Sequence, residues 1–235
     1  MLRLFYVVIM NLYRLYMIPY MKFRNRHPKW FNEASQYRYA QRMINLMKRT
    51  GRIHTRAYGV ENLPSEGGYI MYPNHQGKYD ALGIMYAHDK PCCMVMDAKR
   101  SRMPLVTEFL DLVGGKRMNL NDARQSIVLF REMAEEIKSQ ARKFIIFPEG
   151  GYDNNENTVF DFKPGAFKAA MMAKVPVPGP KMPSYRPMPS PMARASTAFL
   201  AFRVPSSRFS SGRSRRQRMS TAATGRMMSI MVRST

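Results

Sequence analysis

Cysteine is almost absent from this chain: there are two in 235 residues, Cys92 and Cys93, side by side. Adjacent cysteines cannot close a loop without strained geometry, and no Cys-x-x-Cys or Cys/His cluster accompanies them, which excludes a disulfide scaffold and a zinc module. They read as buried strand residues in a reducing compartment. The four histidines, His27, His54, His75 and His88, include no pair spaced as metal ligands on one helix face. A long apolar run is also missing. Leu2 to Met21 is the most hydrophobic stretch, yet its longest uncharged run, Leu4 to Tyr13, is ten residues, about half of what a membrane-spanning helix needs. Carboxylates are missing from the C-terminal third: no Asp or Glu follows Asp161.

What is there is globular in composition, with 45% hydrophobic, 23% charged and 11% aromatic residues, which excludes wholesale disorder and fibrous folds. The length suits one substantial domain with appendages. The net charge of +22 is unevenly spread: residues 1–56 carry +11, residues 57–161 carry −3 and residues 162–235 carry +14. A slightly acidic centre with two basic flanks is an ordinary core with charged attachments, not a uniformly basic nucleic-acid binder.

In the N-terminal flank, Arg3, Asn11 and Arg14 fall within about 80° of a helical wheel, which predicts an amphipathic helix with a narrow polar strip. Such a helix lies in a membrane interface rather than crossing it. Arg14 and the bulky residues after it offer no small-x-small cleavage site for a secretory signal. The collar Lys22, Arg24, Arg26 and Lys29, followed by Trp30 and Phe31, suits anionic lipid head groups. A second helix is expected over about residues 33–49, with Tyr37, Ala40, Ile44 and Met47 on one face. The alternative is that both helices pack on the core.

The middle of the chain alternates. Strands are expected at 53–58, 69–72, 92–96 and 143–147, and helices at 79–88, 104–113 and 122–140, the last opened by Asn121 or Asp122. This pattern predicts an α/β fold with a mainly parallel, mixed sheet flanked by helices. Ligands in such folds bind beyond the carboxyl ends of the strands. Two polar clusters fall there: Asn74 to Asp80 after one strand, Pro148 to Gly151 after another. His75 is a candidate general base, since imidazole titrates near neutrality. Asp80, five residues on in the first turn of a helix, is placed to fix its tautomer. No serine or cysteine nucleophile adjoins them, so the pair would activate a hydroxyl of the substrate.

Asn74, His75 and Asp80 (N-H-x-x-x-x-D), Phe147 to Gly150 (F-P-E-G) and Phe162, Lys163, Gly165, Ala166, Phe167 and Ala170 (F-K-x-G-A-F-x-x-A) occur in an order and spacing that resembles the glycerolipid acyltransferases typified by 1-acylglycerol-3-phosphate acyltransferases. The resemblance covers about residues 1–178. It implies that His75, oriented by Asp80, deprotonates the hydroxyl of a lysophospholipid, which attacks an acyl thioester carried by acyl-carrier protein or coenzyme A. It implies no metal and no cofactor, because a thioester is already activated. Arg117 matches the arginine of the family's G-x-x-x-x-R block, although Leu112 replaces the glycine. Many members continue F-P-E-G with Thr-Arg, where this chain has Gly151 and Tyr152. Phosphate binding is therefore expected to rest on Arg117, with Lys116 or Lys78, and on the Glu149-Gly150 turn.

The expected organisation is 1–50 as membrane-associating helices, 51–178 as an acyltransferase domain cut short, and 179–235 as a disordered basic tail. Partners would be the acyl donor, the lysophospholipid and an anionic membrane surface, at the cytoplasmic face of the cell membrane. Two rivals stay open: another acceptor within the same chemistry, and a nucleic-acid-binding protein that uses the Arg/Ser-rich tail around 206–218. The tail itself is peculiar. The family's next strand reads roughly V-P-[IV]-[IV]-P-V; here Val175-Pro176-Val177 begins it and Pro178-Gly179-Pro180 breaks it. Residues 175–235 then hold eleven Ser, ten Arg, eight Pro and seven Met. The expectation is a change of reading frame near residue 178, leaving the sheet short of strands and this version unstable or inactive.

Overall fold

The computed structural model describes residues 9, 15–58, 60–75, 77–151, 160–174 and 229–234. Helix α1 (Met17–Arg26) and helix α2 (Glu33–Gly51) precede strand β1 (Ile53–Tyr58). An alternating run follows: β2 (Tyr69–Met71), α3 (Asp80–Ala87), β3 (Cys93–Asp97), α4 (Val106–Leu112), β4 (Lys116–Met118), α5 (Ala123–Gln140), β5 (Lys143–Ile145) and α6 (Lys168–Ala173). Strand β6 (Ser229–Ser234) closes the described chain.

The long helices begin where side chains satisfy their first free N–H groups. Asn32 accepts the Ser35 N–H at the start of α2, and Asp122 accepts the Gln125 N–H at the start of α5. Both end on a left-handed residue, Arg52 and Ala141. Strands β2, β5, β3 and β4 form one parallel sheet in that order. The sheet is buried on both faces, so its strands are continuous apolar runs: Tyr69 to Tyr72, Cys92 to Met94 and Phe144 to Ile146 are all buried. Leu129, Phe130, Met133 and Ile137 of α5 and Ile84 and Met85 of α3 complete the core. Gly68, at the entry to β2, lets α5 come close: a Cβ there would stand 2.5 Å from the Ile137 carbonyl oxygen.

The alternating pattern thus forms the sheet it predicts, with three differences. β4 was not expected, because three residues reading Lys-Arg-Met carry no strand periodicity; the edge pairing with Val95 to Asp97 defines it. β1 does not join the parallel sheet but pairs antiparallel with β6, so the mixed character lies in a separate two-stranded sheet. Six residues of the expected disordered tail form a strand around the apolar run Ile230 to Val232. Residues 175–228, with the altered strand, the frame change and the Arg/Ser-rich segment, lie outside the described residues, as does most of the stretch from Leu2 to Arg14.

Cys92 and Cys93 are free and buried at the start of β3. Burial pushes the Cys93 thiol up to about 11 and Cys92, beside the Tyr37 hydroxyl at 3.1 Å, up to about 12.

Helix α1 has two faces. Met17 and Met21 are buried, and Lys22 pairs with Glu108 of α4 at 3.3 Å. Arg24, expected in the lipid-facing collar, turns inward instead: it is buried, donates to Gln36 Oε1 at 2.9 Å and Ser35 Oγ at 2.8 Å, and lies over the Phe31 ring. A guanidinium with those acceptors and an aromatic face is better held there than in water. Outward, Leu15, Tyr16, Tyr20, Phe23 and Trp30 are exposed, Trp30 at 69%. Lys22, Arg26 and Lys29 are exposed around them. Among the described residues no helix is long and apolar enough to cross a membrane.

Candidate active site

Strands β2 and β5 are neighbours, with Met71 opposite Ile145 and the Ile146 N–H donating to the Met71 carbonyl at 2.9 Å. His75 stands four residues past Met71 and Glu149 four past Ile145. Equal offsets along parallel neighbours bring the two loops level. The Glu149 carboxylate meets His75 there, accepting the His75 backbone N–H on Oε1. Its other oxygen accepts the Phe160 N–H at 2.9 Å. Glu149 is 5% exposed.

The imidazole is held from two further sides. His75 Nδ1 lies 3.0 Å from Asp80 Oδ2, and the same oxygen accepts the Gly77 N–H at 2.7 Å. Asp80 is the first residue of α3, which is why a helix start brings the carboxylate back onto the loop that precedes it. A carboxylate only accepts, so Nδ1 donates to it, and in the neutral imidazole Nε2 is the accepting nitrogen. The Phe147 ring stacks on the imidazole, with centroids 4.0 Å apart and planes 23° from parallel. It covers one face of the base and excludes water there.

The Phe162 to Ala170 segment closes the same end of the sheet. Tyr72, directly after β2, donates its hydroxyl to the Ala166 carbonyl at 3.1 Å, and its ring packs against Phe167. The Lys163 N–H donates to the Pro148 carbonyl at 2.9 Å. Among the described residues no cluster of His, Cys, Asp and Glu could hold a metal ion.

The family assignment follows from this span. A model of the acyltransferase family matches residues 54–178, over half of the chain, including both loops of the site. The chain belongs to the acyltransferase family. Among relatives of this acyltransferase is the 1-acyl-sn-glycerol-3-phosphate acyltransferase of Saccharomyces cerevisiae, 26% identical over 144 residues, covering 61% of this chain and 47% of that protein. Another is the alpha form of Mus musculus, 28% identical over 151 residues, covering 62% of this chain and 51% of that protein. The acyltransferase chain spans about half the length of these curated relatives. Its fold is also that of the crystal structure of the 1-acyl-sn-glycerophosphate acyltransferase PlsC from Thermotoga maritima, with a TM-score of 0.52 at 20% identity over 74% of this chain and 70% of that one.

The residues expected to bind substrate are not gathered at one place in this acyltransferase. Glu149 spends both carboxylate oxygens on backbone N–H groups and so acts on the loop of His75, not on a ligand. Gly150 likewise spends its N–H on the Phe147 carbonyl, at 3.1 Å. Lys116 turns away: its ammonium bonds Glu136 near the C-terminal end of α5, which leads into the start of β5 and lies remote from the loops. Arg117 points from β4 to α4, where Asp111 holds it at 2.6 Å. With β4 three strands from β2, Arg117 stands about 14 Å across the sheet from the strand that carries His75. Lys78 is exposed in the loop between His75 and Asp80. Lys163, which the sequence reading did not single out as a site residue, is exposed and lies across Gly150.

Proposed function

We propose that this acyltransferase moves an acyl group from a thioester, carried by acyl-carrier protein or coenzyme A, to the free hydroxyl of 1-acylglycerol 3-phosphate, making phosphatidic acid. The observation that carries the reading is the His75–Asp80 pair at 3.0 Å, which orients the imidazole through Nδ1 and makes Nε2 of the neutral ring the proton acceptor of the proposed reaction. The names of the relatives support the choice of acceptor. His75 Nε2 takes the hydroxyl proton as the oxygen attacks the thioester carbonyl; the C–S bond then breaks, and the imidazolium returns the proton to the departing thiolate. Asp80 stabilises the imidazolium between those events. A positioned base of this kind contributes roughly 10²- to 10⁴-fold.

Both acceptor and product reside in a bilayer, and the exposed aromatic face of α1, ringed by Lys22, Arg26 and Lys29, suits a peripheral seat on an anionic surface, at the cytoplasmic face of the cell membrane. The test is a panel of acceptors with one labelled thioester: 1-acylglycerol 3-phosphate, glycerol 3-phosphate, 1-acylglycerol and lysophospholipids with larger head groups. The reading expects 1-acylglycerol 3-phosphate to be acylated fastest; a different preferred acceptor overturns the substrate assignment while leaving the chemistry.

A further inference from the structure

The geometry points to Lys163 as the cation that receives the acceptor's phosphate, in place of a guanidinium after the F-P-E-G block. The inference rests on the acceptor proposed above. In 1-acylglycerol 3-phosphate the reacting hydroxyl is on the carbon next to the one that bears the phosphate, so the phosphate must lie a few bond lengths from the proton acceptor. Arg117 is three strands away and paired with Asp111, and Lys116 is committed to Glu136. Neither meets that requirement as placed.

Lys163 does. Its N–H is anchored on the Pro148 carbonyl, inside the F-P-E-G block, and its side chain lies across Gly150, whose φ of +76° and missing Cβ leave the room. A Cβ at that position would stand 2.8 Å from Lys163 Nζ and 3.0 Å from Cε. Gly150 adjoins Glu149, which grips the backbone of His75. The ammonium is therefore tied to the catalytic loop through two consecutive residues of the neighbouring loop. Lys163 is exposed and, among the described residues, has no carboxylate partner, so it reaches a phosphate without giving up an ion pair. An ammonium acts as a point charge with three donors and tolerates varied approach, whereas the arginine it replaces would bind bidentately.

The test is binding by the full chain of 1-hexanoylglycerol 3-phosphate and, as a phosphate-free probe, 1-hexanoylglycerol, for the wild type, Lys163→Met and Lys163→Arg. The expected result is that Lys163→Met weakens the phosphate-bearing probe by about 10- to 100-fold, the worth of a charge-assisted hydrogen bond. It leaves the neutral probe unchanged, and Lys163→Arg restores most of the loss. Equal binding of the phosphate-bearing probe by wild type and Lys163→Met overturns the role of Lys163 alone. A wild type that does not prefer the phosphate-bearing probe overturns the acceptor reading as well.

Discussion

Glu149 holds His75 by its backbone and not by its ring: Oε1 accepts the His75 N–H while Oε2 accepts the Phe160 N–H. The carboxylate thus splints two loops, and the imidazole is left to Asp80. Glu149→Gln puts an amide NH₂ against one of those donors, a repulsive contact in a buried place. The expected outcome is a fall in kcat of about tenfold or more, as a misplaced base predicts, with the KM for the acyl donor little changed. Steady-state kinetics check it; an unchanged kcat in a folded variant contradicts the splint.

The single tryptophan, Trp30, reports on the surface proposed to face the membrane. It is exposed beside Phe23, with ring centroids 5.9 Å apart. On adding vesicles rich in anionic phospholipid its emission should shift to the blue and be quenched by brominated acyl chains. Raising the salt concentration should weaken this but not abolish it, because apolar burial adds to the charge attraction. Emission that is unchanged by vesicles, or restored fully by salt, contradicts an interfacial seat.

His88 is buried with both ring nitrogens engaged: Nδ1 donates to the Lys90 carbonyl at 2.6 Å and Nε2 accepts from the Tyr69 hydroxyl at 2.6 Å. Burial, assisted by the Lys143 and Lys90 charges, lowers its pKa below the ordinary histidine value, against opposing contributions from Asp89 and the Lys90 carbonyl. The unfolded chain therefore takes up the proton first. The stability contributed by neutral His88 is full above about pH 6.5 and is lost as pH falls below it toward the folded value. Thermal melts of wild type and His88→Gln should converge between pH 7.5 and 5, the variant being less stable at the upper end; parallel curves contradict this.

How much of this was open to reading from the sequence depends on the distance over which each feature is specified. His75 and Asp80 lie within one loop and helix start, so their pairing was visible as a spacing. The Glu149 contact was not, because it depends on the register of β2 on β5, which pairs residues 74 positions apart and is set by the packed core. For the same reason Lys116 and Arg117 looked like neighbours of the phosphate. Alternation along β4 sends them to opposite faces, and Glu136 and Asp111 then claim them. Arg24 looked like a lipid-facing charge because a helical wheel does not show the acceptors waiting on α2. The 53–58 strand was visible in the sequence, but its antiparallel pairing with β6 joins segments more than 170 positions apart, and nothing local names that partner.

The composition after residue 177 still calls for an explanation of its own. We read the chain beyond about Pro178 as translated out of frame. Translating the other two frames of the gene downstream of codon 177 should recover a Val-Pro-Val-Val-Pro-Val-like strand followed by a normal content of Asp and Glu. Two frames full of stop codons contradict it and make the basic tail genuine. The in-frame version should also melt at a higher temperature, because the recovered strand would add pairing and burial to the sheet.

The central claim is that His75 Nε2 is the proton acceptor in acyl transfer to 1-acylglycerol 3-phosphate. The most direct measurement is transfer of a labelled acyl group from a thioester to that acceptor, by this chain and by its in-frame version, each with and without His75→Ala, on vesicles. The account predicts labelled phosphatidic acid from at least one parent and at least about 100-fold less from its His75→Ala derivative. Transfer by the His75→Ala derivative within about tenfold of its parent, or no transfer by either parent, contradicts it.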